Sequence, residues 1–200
     1  TYSTAIINGE TVFVKGDTYT VVEIARIAFS SVRSTLISVS VPYTVTTIGI
    51  SAFALCESLY SVVFEENSQL TSIGGNAFDS CSNLESIIIP ASVTSIGYNV
   101  FYDCSSLASV TFEENSQLTT IGISAFRNCS SLTSIIIPDK VTSIGIYAFQ
   151  DCNSLTSVTF SETSGWTAGT TSLSASSLAA RRTAARYLTS TYVSQDWTRS

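Results

Sequence analysis

One stretch of the chain, IGGNAFDSCSNLESIIIP from Ile73 to Pro90, recurs along most of the sequence with the same order of residue types. Each copy contains an isoleucine that is usually followed by glycine, and these isoleucines are spaced by 24, 25, 23, 25 and 23 residues. They are Ile24, Ile48, Ile73, Ile96, Ile121 and Ile144. A period of about 20 to 29 residues with fixed apolar positions predicts a solenoid, in which each coil buries its apolar side chains against its neighbours.

Other positions carry the same residue types in all or nearly all units. Relative to the reference isoleucine, an aliphatic residue lies three positions before and phenylalanine five positions after. Leucine lies eleven positions after it, or twelve in the first unit. Cysteine lies eight positions after it in five units, whereas the first unit has Val32. The cysteines are Cys56, Cys81, Cys104, Cys129 and Cys152.

The units alternate in the way they end. Three of them end with an aliphatic residue and proline, at Pro42, Pro90 and Pro138. Two others end with Phe64 or Phe112 followed by EENSQL, and this longer ending accounts for the 25-residue spacings. The duplicated unit is therefore a pair of coils 48 residues long.

Each coil is predicted to begin with a short strand. Leu84, Ile87 and Ile89 suit such a strand, and Pro90 ends it because proline has no N–H to donate to a neighbouring strand. Stacked coils place equivalent strands about 4.8 Å apart, so the sequence predicts a parallel sheet.

The rest of each coil is predicted to turn back toward the next strand. After Pro90, residues 93–96 (VTSI) suit a second short extended segment, and Gly97 permits a bend. Residues 100–104 (VFYDC) suit a helical or 3₁₀ turn.

Both ends of the chain depart from the repeat and are predicted to cap it. In residues 1–20, two β-rich runs flank Asn8-Gly9, a strong hairpin-turn signal. A hairpin there would cover the apolar edge of the first coil and oppose association through it. Residues 163–200 start as a Ser/Thr/Gly-rich loop anchored by Trp166.

A helix is expected within this C-terminal segment. Residues 176–188 are alanine-rich and have a serine cap candidate. Leu178, Ala185 and Leu188 are predicted to face the last coil, while Arg182 and Arg186 face water.

The pattern LxxIxIPxxVxxIGxxAFxxC, carried by residues 84–104, resembles the BspA-like, or TpLRR-class, leucine-rich repeat of surface proteins from spirochaetes and other anaerobes. Here it consists of Leu84, Ile87, Ile89, Pro90, Val93, Ile96, Gly97, Phe101 and Cys104. The match covers residues 21–160 and departs only in the first unit, with Ala25 for glycine and Val32 for cysteine. The resemblance implies an α/β repeat solenoid: a right-handed leucine-rich repeat coil with a short parallel β-sheet and about six coils, capped at both ends. The expected domains are residues 1–20, 21–162 and 163–200.

Composition excludes several classes of partner. Hydrophobic residues make up 44% and charged residues 12% of the chain, which argues for a packed core and against disorder. Residues 1–173 have a net charge of −9 and residues 174–200 one of +3, so the body lacks the basic surface that nucleic acids require. The basic tail suits either solvated charges at a helix end or a patch for phosphate or a partner. No apolar run of about 18 residues occurs, so no membrane span is predicted.

Catalytic and metal-binding signals are weak. The chain contains no histidine, the commonest general base, and no catalytic triad or dyad, so we expect no enzyme and no cofactor. The cysteine column suits free buried thiols, although stacking brings neighbours within disulfide range. Without histidine or CxxC, no zinc site is predicted. The paired glutamates of the EENSQL endings suit solvated loop charge, with a calcium site as the alternative.

The outward residues of the predicted strands form the most promising surface. They make two rows of small, uncharged or apolar side chains, and exposed apolar patches often mark partner sites. The alternative to a binding role is that β-branched residues simply suit a parallel sheet. The candidate binding residues are Ser61, Val63, Ser86, Ile88, Ser109, Thr111, Ser134, Ile136, Ser157 and Thr159.

The resemblance implies a non-enzymatic protein-binding module of a cell-surface or secreted protein. It implies adhesion to host matrix, such as fibronectin or fibrinogen, or to other cells, through the sheet face. We expect any export signal to lie outside the present chain, and the chain to be a monomer or a weak dimer. The alternatives are a structural spacer or assembly element, and a sensory segment of a larger protein, neither with a dedicated ligand.

Overall fold

Each repeat contributes one short strand to each of two parallel sheets, and the repeats stack into a solenoid. This computed structural model describes residues 4–7, 10–13 and 21–200, and for the first two ranges only the course of the strands. The predicted fold class is confirmed: the chain forms a parallel β-solenoid of about six coils. In the described part, helices occur only after the last repeat.

The strands are numbered along the chain. Sheet A has the order β14-β12-β10-β8-β6-β4-β1-β2, and sheet B the order β16-β15-β17-β13-β11-β9-β7-β5-β3. Sheet A consists of β1 Thr4–Ile7, β2 Glu10–Phe13, β4 Ser38–Val41, β6 Ser61–Phe64, β8 Ser86–Ile89, β10 Ser109–Phe112, β12 Ser134–Ile137 and β14 Ser157–Phe160. Sheet B consists of β3 Glu23–Ile24, β5 Thr47–Ile48, β7 Ser72–Ile73, β9 Ser95–Ile96, β11 Thr120–Ile121, β13 Ser143–Ile144, β15 Trp166–Ala168, β16 Thr171–Ser172 and β17 Trp197–Arg199.

The core is a set of columns that run along the solenoid. The reference isoleucines, the leucines and the cysteines are buried in every coil after the first. The phenylalanine rings stack face to face, with centroids 4.5 Å apart for Phe29 and Phe53 and 5.0 Å apart for Phe53 and Phe78. The stack continues through Phe101, Phe126 and Phe149. Each ring is thus shared between neighbouring coils, as the repeat predicts.

The segment after each glycine forms turns and no helix. In residues 97–104, Tyr102 N–H bonds the Asn99 carbonyl within the coil, while Phe101 and Asp103 N–H groups bond carbonyls of the next coil. Because alternate N–H groups leave the coil, the predicted helical or 3₁₀ turn does not continue as a helix. Two residues of this segment, Asn99 and Asp103, have left-handed backbone conformations, with φ of 51° and 55°.

Gly97 has a different role from the predicted bend. Its φ lies outside the left-handed region, but an added Cβ would lie 2.8 Å from the backbone nitrogen of Gly75 in the preceding coil. The same close approach occurs at Gly49, Gly74, Gly122 and Gly145. The column therefore requires glycine because neighbouring backbones nearly touch.

Strands also extend the solenoid beyond its repeats. At one end β1 pairs antiparallel with β2 and with β4, while the Asn8-Gly9 turn lies outside the described residues. At the other end β17 pairs antiparallel with β13, and β15 pairs with β17. Trp166 and Trp197 are buried and pack against Phe160. The division at residues 20 and 162 stays a prediction.

The predicted C-terminal helix is broken into three pieces. Helix α1 covers Ala175–Ala179, α2 covers Arg181–Arg186, and a π-helix covers Tyr187–Thr191. The break is at Ala180, whose ψ of 93° is not helical. Ser174 caps α1 by accepting from the Ser177 N–H. Leu178, Ala185 and Leu188 are buried and Arg182 and Arg186 exposed, as predicted.

The five cysteines are free, buried thiols. Four of them donate from Sγ to the phenylalanine carbonyl of the preceding coil, for example Cys104 to Phe78 at 3.1 Å. Burial raises the pKa of the Cys56 thiol to about 11 and raises those of Cys81, Cys104 and Cys129. Because the thiolate is the reactive form, these four thiols are unreactive near neutral pH.

Truncating one central ring tests the stack. Phe78→Ala removes a fully buried side chain between two other rings, and should lower the free energy of unfolding by about 3–5 kcal/mol. Phe29→Ala, at the first ring of the stack and only half-buried, should cost less. Urea unfolding followed by circular dichroism measures both. Equal stabilities of Phe78→Ala and the parent chain would contradict this packing.

Thiol chemistry tests the cysteine column. At about pH 8, the folded chain should resist iodoacetamide, whereas the unreduced chain in urea should take up five alkyl groups. A thiol whose pKa is higher in the folded than in the unfolded state contributes to stability at pH values below its pKa in the unfolded state. Stability should therefore fall as the pH rises from about 9, the ordinary value, through about 11. Fewer than five alkyl groups, or stability that rises over this range, would contradict the assignment.

Candidate functional site: the outer face of sheet A

The outer face of sheet A carries the two predicted rows, each with one member per coil. In the first row, Ser86 pairs with Ser61 and with Ser109, and Ser134 pairs with Ser157. In the second row, Ile88 pairs with Thr111, and Ile136 with Thr159. Sheet register thus brings all ten candidate residues, Val63 included, onto one surface.

The large side chains of the second row are well exposed. Val63 is 55% exposed, Ile88 57% and Ile136 60%, while the threonines between them are exposed or half-buried. These strands bury every second residue, so the outward apolar side chains are not part of the core. The face therefore presents separate aliphatic side chains on a flat, uncharged background.

The serine row is smaller and only partly exposed. Ser86, Ser109 and Ser134 are exposed, whereas Ser61 and Ser157 are half-buried. At the start of the row, the Glu85 carboxylate lies beside the Tyr60 hydroxyl and raises its pKa through hydrogen bonding. The row thus offers hydroxyl groups with one carboxylate at its margin.

Prolines divide sheet A into pairs of strands. β8 pairs with β10 over all four residues, and Glu113 N–H extends the pairing by donating to the Ile89 carbonyl. β12 pairs with β10 only through Ser134 and Ser109. Pro138 stands where Glu113 stands in the preceding coil and has no N–H for the Phe112 carbonyl. The strands β10 and β12 therefore separate toward their ends, and β6 and β8 do the same.

A pocket of about 400 Å³ lies where β10 and β12 separate. The side chains of Phe112, Ile136 and Pro138 contribute apolar surface to it, and Phe112 is only partly buried. Glu113, Glu114 and Asp139 also line it. The sequence pattern does not reveal this pocket, because it depends on the missing pairing after Phe112. The signal available in the sequence was the proline of every second coil.

The glutamates of the EENSQL endings have specific partners. Glu65 accepts a hydrogen bond from the Tyr43 N–H at 3.1 Å, and Glu113 accepts one from the Ala91 N–H at 2.9 Å. Each holds the turn that follows a proline in the preceding coil. All four glutamates are exposed, in line with the prediction of solvated loop charge, and Glu65 and Glu113 have this additional role in holding a turn.

A second exposed apolar group lies outside sheet A and was not predicted. Ile50 is 40% exposed, Tyr98 48% and Ile123 49%, each two residues after its reference isoleucine. Tyr98 lies so close to Gly75 that a Cβ there would be 2.3 Å from its ring. This group provides matched control positions for sheet A.

Other candidate sites are poorly supported. No group of three His, Cys, Asp or Glu side chains suited to a metal ion occurs among the described residues. Within the same part of the chain, no helix is long and apolar enough to cross a membrane. Arg181, Arg182 and Arg186 are exposed, whereas Arg199 bonds the Asp139 carbonyl and lies over the Trp166 ring.

Comparison with known proteins identifies the repeat. The family described as the BspA type leucine rich repeat region matches residues 22–156 and 119–180, in six copies. The chain belongs to this family. The outer face of sheet A is therefore a surface of a leucine-rich repeat protein. Such repeats form protein-binding modules that are normally non-catalytic. No curated protein matches the chain.

Solved structures of three bacterial proteins share this fold. The pneumococcal vaccine antigen PcpA is 33% identical with a TM-score of 0.66, over 74% of this chain and 38% of its own. A leucine rich cell surface protein of Faecalibacterium prausnitzii is 32% identical with a TM-score of 0.55, over 79% of this chain and 48% of its own. The leucine rich repeat protein of T. pallidum is 25% identical with a TM-score of 0.50, over 70% and 74%. The chain thus spans less than half the length of the first two.

Proposed function

We propose that the chain is a non-enzymatic, protein-binding module of a cell-surface or secreted protein and that it binds through the outer face of sheet A. The observation that carries the proposal is the row of Val63, Ile88 and Ile136, each more than half exposed on a flat sheet. Water-exposed aliphatic side chains in a regular row favour a partner that covers them. The exposed serines and threonines beside them provide hydrogen-bonding groups for such a partner.

The proposed partner is a protein of the host extracellular matrix, with fibronectin and fibrinogen as the first to test. Support comes from relatives described as a vaccine antigen and as a cell surface protein, because a repeat at a cell surface is accessible to host proteins. An extended repeat surface also suits a large, extended partner. A structural spacer would share the fold but have no need of a binding face.

Charge placed on the face tests the proposal. The double variant Ile88→Glu, Ile136→Glu should weaken binding to immobilised fibronectin or fibrinogen at least tenfold, about 1.4 kcal/mol, because two carboxylates would be desolvated in the complex. Both side chains are more than half exposed, so the circular dichroism spectrum and melting temperature should not change. Surface plasmon resonance measures the binding.

The control is Ile50→Glu, Ile123→Glu, which places the same charges at exposed isoleucines outside sheet A. This variant should bind like the parent chain. Equal loss in both double variants would point to a general charge effect and would contradict the assigned face. Absence of binding by the parent chain would favour the spacer.

A further inference from the structure

The pocket between β10 and β12 combines an apolar floor with an acidic rim. Its apolar lining residues, Phe112, Ile136 and Pro138, are called the floor, and its acidic lining residues, Glu114 and Asp139, the rim. Glu113 also lines the pocket, but its carboxylate accepts from the Ala91 N–H. Two positive groups lie nearby without forming an ion pair with these carboxylates: Lys140 donates to the Gln117 side chain, and Arg199 donates to the Asp139 carbonyl. Its volume of about 400 Å³ lies within the range of ligand-binding pockets, about 300–1,000 Å³.

This pocket exists where the chain departs from its own repeat. In the first two pairs of coils, Glu65 and Glu113 reach back to the N–H after Pro42 and Pro90. In the last pair, the equivalent position is Ser161, which also donates its N–H to the preceding strand but has no carboxylate. Ser161 lines the pocket, so the missing glutamate side chain leaves space beside Asp139.

An extended peptide chain suits this site better than a compact ligand. Pro138 provides no N–H for the carbonyl of Phe112. At the end of β10, this carbonyl can therefore accept a hydrogen bond from a peptide N–H. The floor accommodates an apolar side chain, and the carboxylates attract a cationic neighbour.

We propose that this pocket binds one apolar side chain of an extended segment of a partner protein, with lysine or arginine next to that side chain. The proposal rests on the proposed protein-binding function and names the chemistry that the face selects. Acidic segments are disfavoured because the rim carboxylates would repel them.

Peptide titration of the isotope-labelled full chain, followed by NMR, tests this proposal. The probe is a capped hexapeptide with one leucine between two lysines, and its matched peptides replace leucine by alanine or both lysines by glutamate. The first probe should shift the amide signals of Thr111, Glu114 and Ser161, and both matched peptides should bind at least tenfold more weakly. Equal binding of the lysine and glutamate peptides, or shifts confined to Tyr98 and Ile123, would overturn it.

Restoring the repeat provides a variant that should remain folded. Ser161→Glu introduces the residue that the first two coil pairs already contain, and by occupying the pocket it should abolish the tenfold preference for the leucine probe over its alanine counterpart. Ser161→Ala, which leaves the pocket open, should bind like the parent chain. Glu114→Gln should weaken binding of the lysine probe, whereas Glu66→Gln, the equivalent change in the first pair of coils, should leave it unchanged. An unchanged preference for leucine over alanine in Ser161→Glu would overturn the proposal.

The pocket and the wider face are separable in these experiments. The separating variant is Val63→Glu, Ile88→Glu, because these exposed residues of the face do not line the pocket, whereas Ile136 does. If the lysine probe fails to bind while this double variant abolishes binding to fibronectin or fibrinogen, the pocket proposal is wrong and the binding face stands. If the probe binds at the pocket while that double variant binds matrix protein normally, the pocket stands and the wider face is wrong.

Discussion

Close backbone contact between neighbouring coils determines the rest of the structure. The glycine column allows one coil to approach within a distance that a Cβ would prevent, as Gly97 and Gly75 show. At that spacing, Thr94 uses both its N–H and its hydroxyl to bond the Thr71 carbonyl, and Thr119 does the same to Thr94. Phenylalanine rings and cysteine thiols stack in the same register. Each coil is therefore stabilised by its neighbours, and few side chains remain for chemistry.

The prolines modify this regular stacking on one side only. Sheet B continues from coil to coil, whereas sheet A is divided after every second strand because Pro90 and Pro138 lack the N–H that would complete the pairing. The two EENSQL loops hold the turns after Pro42 and Pro90 through a glutamate and through the N–H of Gln69 or Gln117. The duplication of 48 residues is thus a structural unit of two strands, one proline turn and one loop that holds it.

The sequence pattern predicted the features that repeat and missed those that depend on hydrogen-bond partners. Buried positions such as Phe78, Leu84 and Cys81 follow directly from the columns, since only one orientation buries them in every coil. The segment after Gly97 was predicted to be a helical or 3₁₀ turn. It does not continue as a helix because alternate N–H groups bond the next coil, which residue preferences do not show. The outward rows were predictable from strand alternation. The pocket beside Phe112 was not, because it requires both a proline and a serine that replaces glutamate.

A face made of identical repeats cannot by itself distinguish where along it a partner binds. Ile88 and Ile136 occupy equivalent positions and have nearly equal exposure, 57% and 60%, so a partner that recognised only the repeat would bind in more than one register. Departures from the repeat remove this ambiguity. Ser161 and Asp139 differ from Glu113 and Ala91, and they lie beside Ile136 in one pocket. Affinity is therefore expected to come from the repeated apolar row, and the position of the partner from the last pair of coils.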